Sequence, residues 1–258
     1  MVGRALHGTP PVLHLFGGPY VSVGIHQVDV PEASKRLLAF VALHNGSVSR
    51  RHVAGTLWPD CDDGRASANL RSALWRLNGV GWTFVEACRQ TLVTGPEVVV
   101  DVAVVNEWAT RLISHREVPD DLLSMPQDVN ALELLPDLSD DWALIERERM
   151  RQRLLHAFEA QSRQLLIEGR YGEAIEVALA VVCADPLRES AQRVLIECHL
   201  AEENRVEADR AYRSYQSLLR REVGAEPSAA LTRLIRPRPV ERIQSRVERY
   251  AVPRGLSS

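Results

Sequence analysis

Arg65, Asn69, Ser72 and Arg76 recur at intervals of three or four residues. Their side chains are of the types that hydrogen-bond base edges and phosphates. At about 100° per residue the four fall within about 60° of one another. Ala66, Leu70, Ala73, Leu74 and Leu77 fall on the opposite side. The spacing therefore predicts a helix over residues 65–78 that buries its leucines and turns an Arg–Asn–Ser–Arg row outward. Arg71 and Trp75 flank that row. Any solvated helix has a polar outer face, so the meaning of the row depends on the elements around it.

Those elements are readable. Ser49 caps a helix over Arg50 to Leu57, closed by Trp58-Pro59, with Val53, Ala54 and Leu57 inward. It brings Arg50 and Arg51 to a helix start, where a second helix approaches phosphate. Asp62 or Asp63 caps the third helix. The acidic stretch from Asp60 to Gly64 is not a calcium loop, because the closing glutamate position is Arg71. Gly79 and Gly81 end the third helix. Phe84–Ala87 and Thr91–Val93 then form a hairpin with Cys88-Arg89-Gln90 at its tip. A hairpin directly after a polar-faced third helix is the layout of a winged helix, and it makes Arg89 a candidate phosphate contact.

Upstream, His14–Phe16, Tyr20–Val23 and Gln27–Val30 read as an antiparallel meander turning at glycines. A first helix starts at Pro31-Glu32-Ala33-Ser34, with Ser34 as its cap, and runs through Leu43 to a stop at Asn45-Gly46. Downstream come a strand at Val98–Val100 and a helix from Asp101 to Ile113, with Val105, Trp108 and Leu112 inward.

A chain of 258 residues is long enough for two domains with separate cores. No apolar run reaches the length of a membrane span, and the first residues lack the pattern of a secretion signal, so a cytoplasmic protein is expected. Cys61, Cys88, Cys183 and Cys198 have no metal-ligand spacing and read as free thiols. The net charge of -3 hides an asymmetry. Residues 1–100 hold 9 basic against 7 acidic side chains, residues 101–235 hold 16 against 25, and residues 236–258 hold 6 against 2. A mildly basic start ahead of an acidic body suits nucleic-acid contact at one end.

Residues 114–140 carry Pro119, Pro126 and Pro136 and read as a linking segment with partial helix. From Asp140-Asp141 the pattern is helical, with Leu154, Phe158 and Leu165 on the apolar side of the first long helix. The segment Gly169–Ile175 is echoed 34 residues later by Glu203–Asp209. That period, with a small residue where two helices cross, marks tetratricopeptide-like repeats. Tyr171, Ala174 and Ala208 are the candidate packing residues. Asp185-Pro186 and Glu226-Pro227 end the second helix of each unit, and their spacing of 41 requires a longer helix or an insertion in the second. Stacked helix pairs build a surface that holds a peptide or another domain. The Pro- and Arg-rich tail from Arg236 is expected to be disordered.

Catalytic patterns are not found. Gly17-Gly18-Pro19 lacks the Lys and Ser/Thr of a phosphate-binding loop, and no GxSxG is present. His115, His156 and His199 stand alone on helical segments. The expectation is a non-enzyme with no cofactor, no metal and no membrane partner. The fold expected is mainly α with a small β-sheet and wing: a winged helix-turn-helix domain over 12–113, a linker over 114–140, a TPR-like helical domain over 141–235 and a basic tail over 236–258.

This order of parts resembles the SARP/AfsR-type regulators of actinobacteria, in which an OmpR-like winged helix precedes a bacterial transcriptional activator domain (BTAD). The stretches that carry the resemblance are Asp140–Arg149, Gly169–Ala174, Asp185–Glu189, Ala211–Tyr215 and Val223–Ser228 in the second half. In the first half they are Leu43–Gly46, Ser49-Arg50, Leu57–Pro59 and Ala68–Leu77. Glu203 stands where the repeat expects glycine, and Asp209 where an apolar residue is usual. The resemblance implies an activator that binds direct repeats in double-stranded promoter DNA, often at genes of secondary metabolism. It implies homodimerisation and contact with RNA polymerase or another protein through the helical domain. Arg65, Asn69, Ser72 and Arg76 would then face bases, and Arg50, Arg51, Arg71 and Arg89 the DNA backbone. The competing reading is a TPR-type adaptor whose winged helix no longer binds DNA.

Overall fold

A computed structural model describes residues 9–44, 46–78, 82–114 and 133–236. The interior of the linking segment, with His115, lies outside them, as do Asn45, 79–81 and the tail beyond Arg236.

The N-terminal half opens with β1 (Val12–His14), β2 (Tyr20–Val23) and β3 (His26–Val28), an antiparallel meander shifted by up to two residues from the expected strands. Alternation puts Leu13, Val21 and Val23 inside. A short strand, β7 (Val99–Val100), joins β1 in parallel, giving the order β3-β2-β1-β7. The sheet therefore closes over a segment about eighty-five residues downstream, as Leu13 pairs with Val100. The Asp101 carboxylate fixes this junction by accepting from the amides of Leu15, Phe16 and Val102. Burial pushes that carboxyl above its ordinary range, against the pull of the three amides.

α1 (Glu32–Leu43) follows. Its cap position is Pro31, not Ser34. Ser34 lies inside the helix, fully buried, and its hydroxyl donates to the Ala73 carbonyl at 3.1 Å. The residue expected to start one helix thus ties it to another. β4 (Val48–Ser49) leads into α2 (Arg50–Leu57), capped as expected by Ser49, whose Oγ accepts from the His52 amide. α3 (Asp63–Asn78) starts beside Asp62, whose carboxylate accepts from the Arg65 amide at 2.8 Å. β5 (Val85–Ala87) and β6 (Thr91–Thr94) make the hairpin, and β4 pairs with β6 to form a second sheet, β4-β6-β5. Gly95 closes it, because a Cβ there would collide with the Thr83 carbonyl oxygen. α4 (Asp101–Ile113) buries Val105, Trp108 and Leu112.

The second half is helical: α5 (Asp141–Ile167), α6 (Tyr171–Ala184), α7 (Glu189–Ala201), α8 (Arg205–Val223) and α9 (Ala229–Ile235). α8 has 19 residues against 14 for α6, so the wider Pro spacing of the second unit reflects a longer helix. Ala174 and Ala208 are fully buried, while Tyr171 is 37% exposed at the mouth of α6. The small residues carry the helix crossings and the tyrosine does not. At the α5–α6 corner Gly169 adopts a left-handed conformation, φ 77°, and at the α7–α8 corner Glu203 does the same, φ 63°. Both corners close with the same amide bonds, Arg170 to Leu165 and Asn204 to His199.

Separate cores are not what the chain forms. One continuous buried cluster runs from Leu13 through the winged helix into α5, α6 and α7. A smaller one gathers Ile196, Ala208, Tyr212, Tyr215, Leu231 and Ile235 at the far end. Trp108 on α4 meets Phe158 on α5 edge-on, and Phe40 on α1 meets Trp142 on α5. Arg36 on α1 pairs with Asp140, which sits at the cap of α5, and also donates to the Leu57 carbonyl. Among the described residues no helix is long and apolar enough to cross a membrane.

Candidate nucleic-acid interface

α3 turns one face to α1 and α2 and the other to solvent. Ala66, Leu70, Ala73, Leu74 and Leu77 are buried as expected, against α1 and α2. Arg65, Asn69, Ser72 and Arg76 are all exposed on the far side, and the helical half does not cover them. Asn69 Nδ2 reaches the Cys61 sulfur at 3.8 Å, a weak contact that leaves the amide turned to solvent. Arg71 is exposed beside the row, and Trp75, at 79% exposure, stands out from the same surface.

The flanking cations come from two other elements. Arg50 and Arg51 open α2. Between α2 and α3 lies an open cleft of about 370 Å³, lined by Arg50, Arg51, Gly55, Ser67 and Arg71. Arg89 is exposed at the tip of the β5–β6 hairpin. The Arg50 amide donates to the Gln90 carbonyl at 2.9 Å, and Ser49 pairs with Thr91. The wing tip and the start of α2 are thus one hydrogen-bonded unit, which sequence spacing did not disclose. A two-residue strand has no period to detect.

Charge pairing distinguishes this face from most of the helical half. On the helical half Arg149, Arg151, Arg163, Arg170, Arg188 and Arg213 each meet a carboxylate. Arg50, Arg65, Arg71, Arg76 and Arg89 have no salt bridge to any described residue. Arg51 has a loose one, 3.4 Å to Asp63, with both side chains about 90% exposed. Such a pair in water is worth little and yields readily to a polyanion. The face therefore holds a set of unneutralised guanidinium groups around a helix with hydrogen-bonding side chains. Among the described residues no group of His, Cys, Asp and Glu is placed to hold a metal.

Comparison with known proteins bears on both halves. Residues 130–237 match the model of the bacterial transcriptional activator domain family. No curated protein matches the sequence. Among solved structures the chain is similar to Mycobacterium tuberculosis EmbR, which was solved in complex with a low-affinity phosphopeptide. The TM-score is 0.71 at 20% identity, over 90% of this chain and 67% of that one. At that identity the likeness speaks for the fold, and it spans both the winged helix and the helical half. The second half of the chain thus matches the bacterial transcriptional activator domain family, and the chain as a whole shares the fold of that solved structure.

Proposed function

We propose that the chain is a sequence-specific activator that reads double-stranded promoter DNA with α3 in the major groove. Arg65, Asn69, Ser72 and Arg76 contact base edges, while Arg50, Arg51, Arg71 and Arg89 hold the phosphates on either side. The observation that carries this is the state of the arginines. They are exposed on the one face built of α2, α3 and the wing, and all but the loosely paired Arg51 lack a carboxylate partner among the described residues, whereas most arginines of the helical half meet one. In this reading residues 12–113 form the DNA-binding unit and 141–235 the helical unit. The latter mediates homodimerisation and contact with RNA polymerase or another protein. The chain acts by binding, without a catalytic step or a cofactor.

Selection from a random pool of duplexes tests the proposal. A direct repeat with half-sites spaced by whole turns of the double helix is the expected product. A pool that gains no sequence over repeated rounds would leave the protein as an adaptor whose partners are proteins alone.

A further inference from the structure

Trp75 is a large apolar side chain left 79% exposed on a surface that is otherwise polar and cationic. Its position follows from the helix itself. The buried positions Ala66, Leu70, Ala73, Leu74 and Leu77 take up one side of α3, and Trp75 lies close to the middle of the remaining arc. Ser72 and Arg71 stand one turn before it, and Arg76 follows it. It makes no hydrogen bond or ring contact with a described residue. An indole held in water among cations leaves a large apolar area unburied, and the charge around it favours a polyanion as the occupant that covers it. In the major groove the apolar group on a base edge is the C5-methyl of thymine. A helix seated there with Arg65 and Arg76 on bases holds Trp75 beside that row, one turn from Ser72, where the long indole reaches the edge of a neighbouring base pair.

We propose that the Trp75 indole packs against a thymine methyl and selects for thymine at one position of each half-site, an inference that rests on the DNA-binding reading above. A duplex selected by the wild-type protein is resynthesised with each thymidine replaced in turn by deoxyuridine, which removes the methyl and keeps the hydrogen bonds. Burial of one methyl sets the expected loss at about three- to fivefold in affinity at a single position per half-site. Trp75→Ala binds more weakly and is indifferent to that replacement, while Trp75→Phe keeps part of the sensitivity. Thermal melting of each variant shows that the exposed position does not affect folding. Wild-type and Trp75→Ala proteins that respond alike to every replacement overturn the inference. So does Trp75→Ala binding as tightly as wild type, which would leave the indole to a protein partner. A wild-type protein that retains no duplex at all overturns the DNA-binding reading itself, a separate result from these.

Discussion

Trp108 of α4 and Phe158 of α5 meet edge-on with ring centroids 5.2 Å apart, both almost fully buried, and so weld the winged helix to the helical half. The contact lies in the buried cluster that holds residues of both halves. A movement of the helical half is therefore transmitted to α4 and its neighbours rather than absorbed by a hinge between independent cores.

The shared core has a measurable consequence. Phe158→Ala is expected to destabilise the protein by about 3 kcal/mol, and to do so for both halves at once. Urea unfolding followed by circular dichroism and by tryptophan fluorescence checks this. The two probes should give one coincident transition at lower denaturant. Separate transitions of which only one shifts would mean the halves fold apart.

Glu203 occupies a backbone conformation that L-residues enter at a cost of roughly 1–2 kcal/mol, where the equivalent Gly169 pays none of it. Glycine brings extra freedom to the unfolded chain, which takes back part of the gain. Glu203→Gly should stabilise the protein by about 0.5–1 kcal/mol, and Gly169→Ala should destabilise it by a similar amount. The readout is the urea midpoint at unchanged slope.

Glu159 is 4% exposed and accepts from Arg188 Nε at 2.6 Å and from the Ser190 hydroxyl at 2.7 Å. Arg188 also donates to Gln152, so one side chain from the α6–α7 turn holds the middle of α5. Arg188→Ala leaves a buried carboxylate without its cation and should cost about 3 kcal/mol. The double variant Arg188→Met with Glu159→Met should recover most of it. Thermal melts of the two proteins decide.

Arg76 is exposed and has no carboxylate partner among the described residues, so its removal should leave stability unchanged. On a selected duplex Arg76→Ala should weaken binding by about 1–3 kcal/mol and relax the preference at one base pair. Fluorescence anisotropy on the matched and mismatched duplexes measures both effects.

Much of this arrangement was readable before any coordinates. The two faces of α3, the cap at Ser49, the inward residues of α4 and the Ala174 and Ala208 crossings follow from helix period and cap chemistry, which are local. What escaped is non-local or lacks a period. β4 is two residues long, and the strand expected at Val98–Val100 gave no local sign that it pairs with β1 at the other end of the unit. Ser34 has the chemistry of a cap, yet a proline already occupies that place, and the hydroxyl is used across a helix crossing instead. The shared core rests on Trp108, Phe158, Phe40 and Trp142, residues any separate core would also contain. At the interface the residue types and their exposure were legible, but the bond between Arg50 and Gln90 that joins wing to helix was not.

The central claim is that the exposed arginines around α3 hold DNA phosphates. Its most direct test is the affinity for a selected duplex measured across a salt series, for wild type and for Arg71→Ala. Phosphate contacts by Arg50, Arg51, Arg71 and Arg89 predict a logarithmic slope of about -3 to -4 per protomer, and Arg71→Ala should make it shallower by about 1. A slope near zero, or one that Arg71→Ala leaves unchanged, would contradict the account.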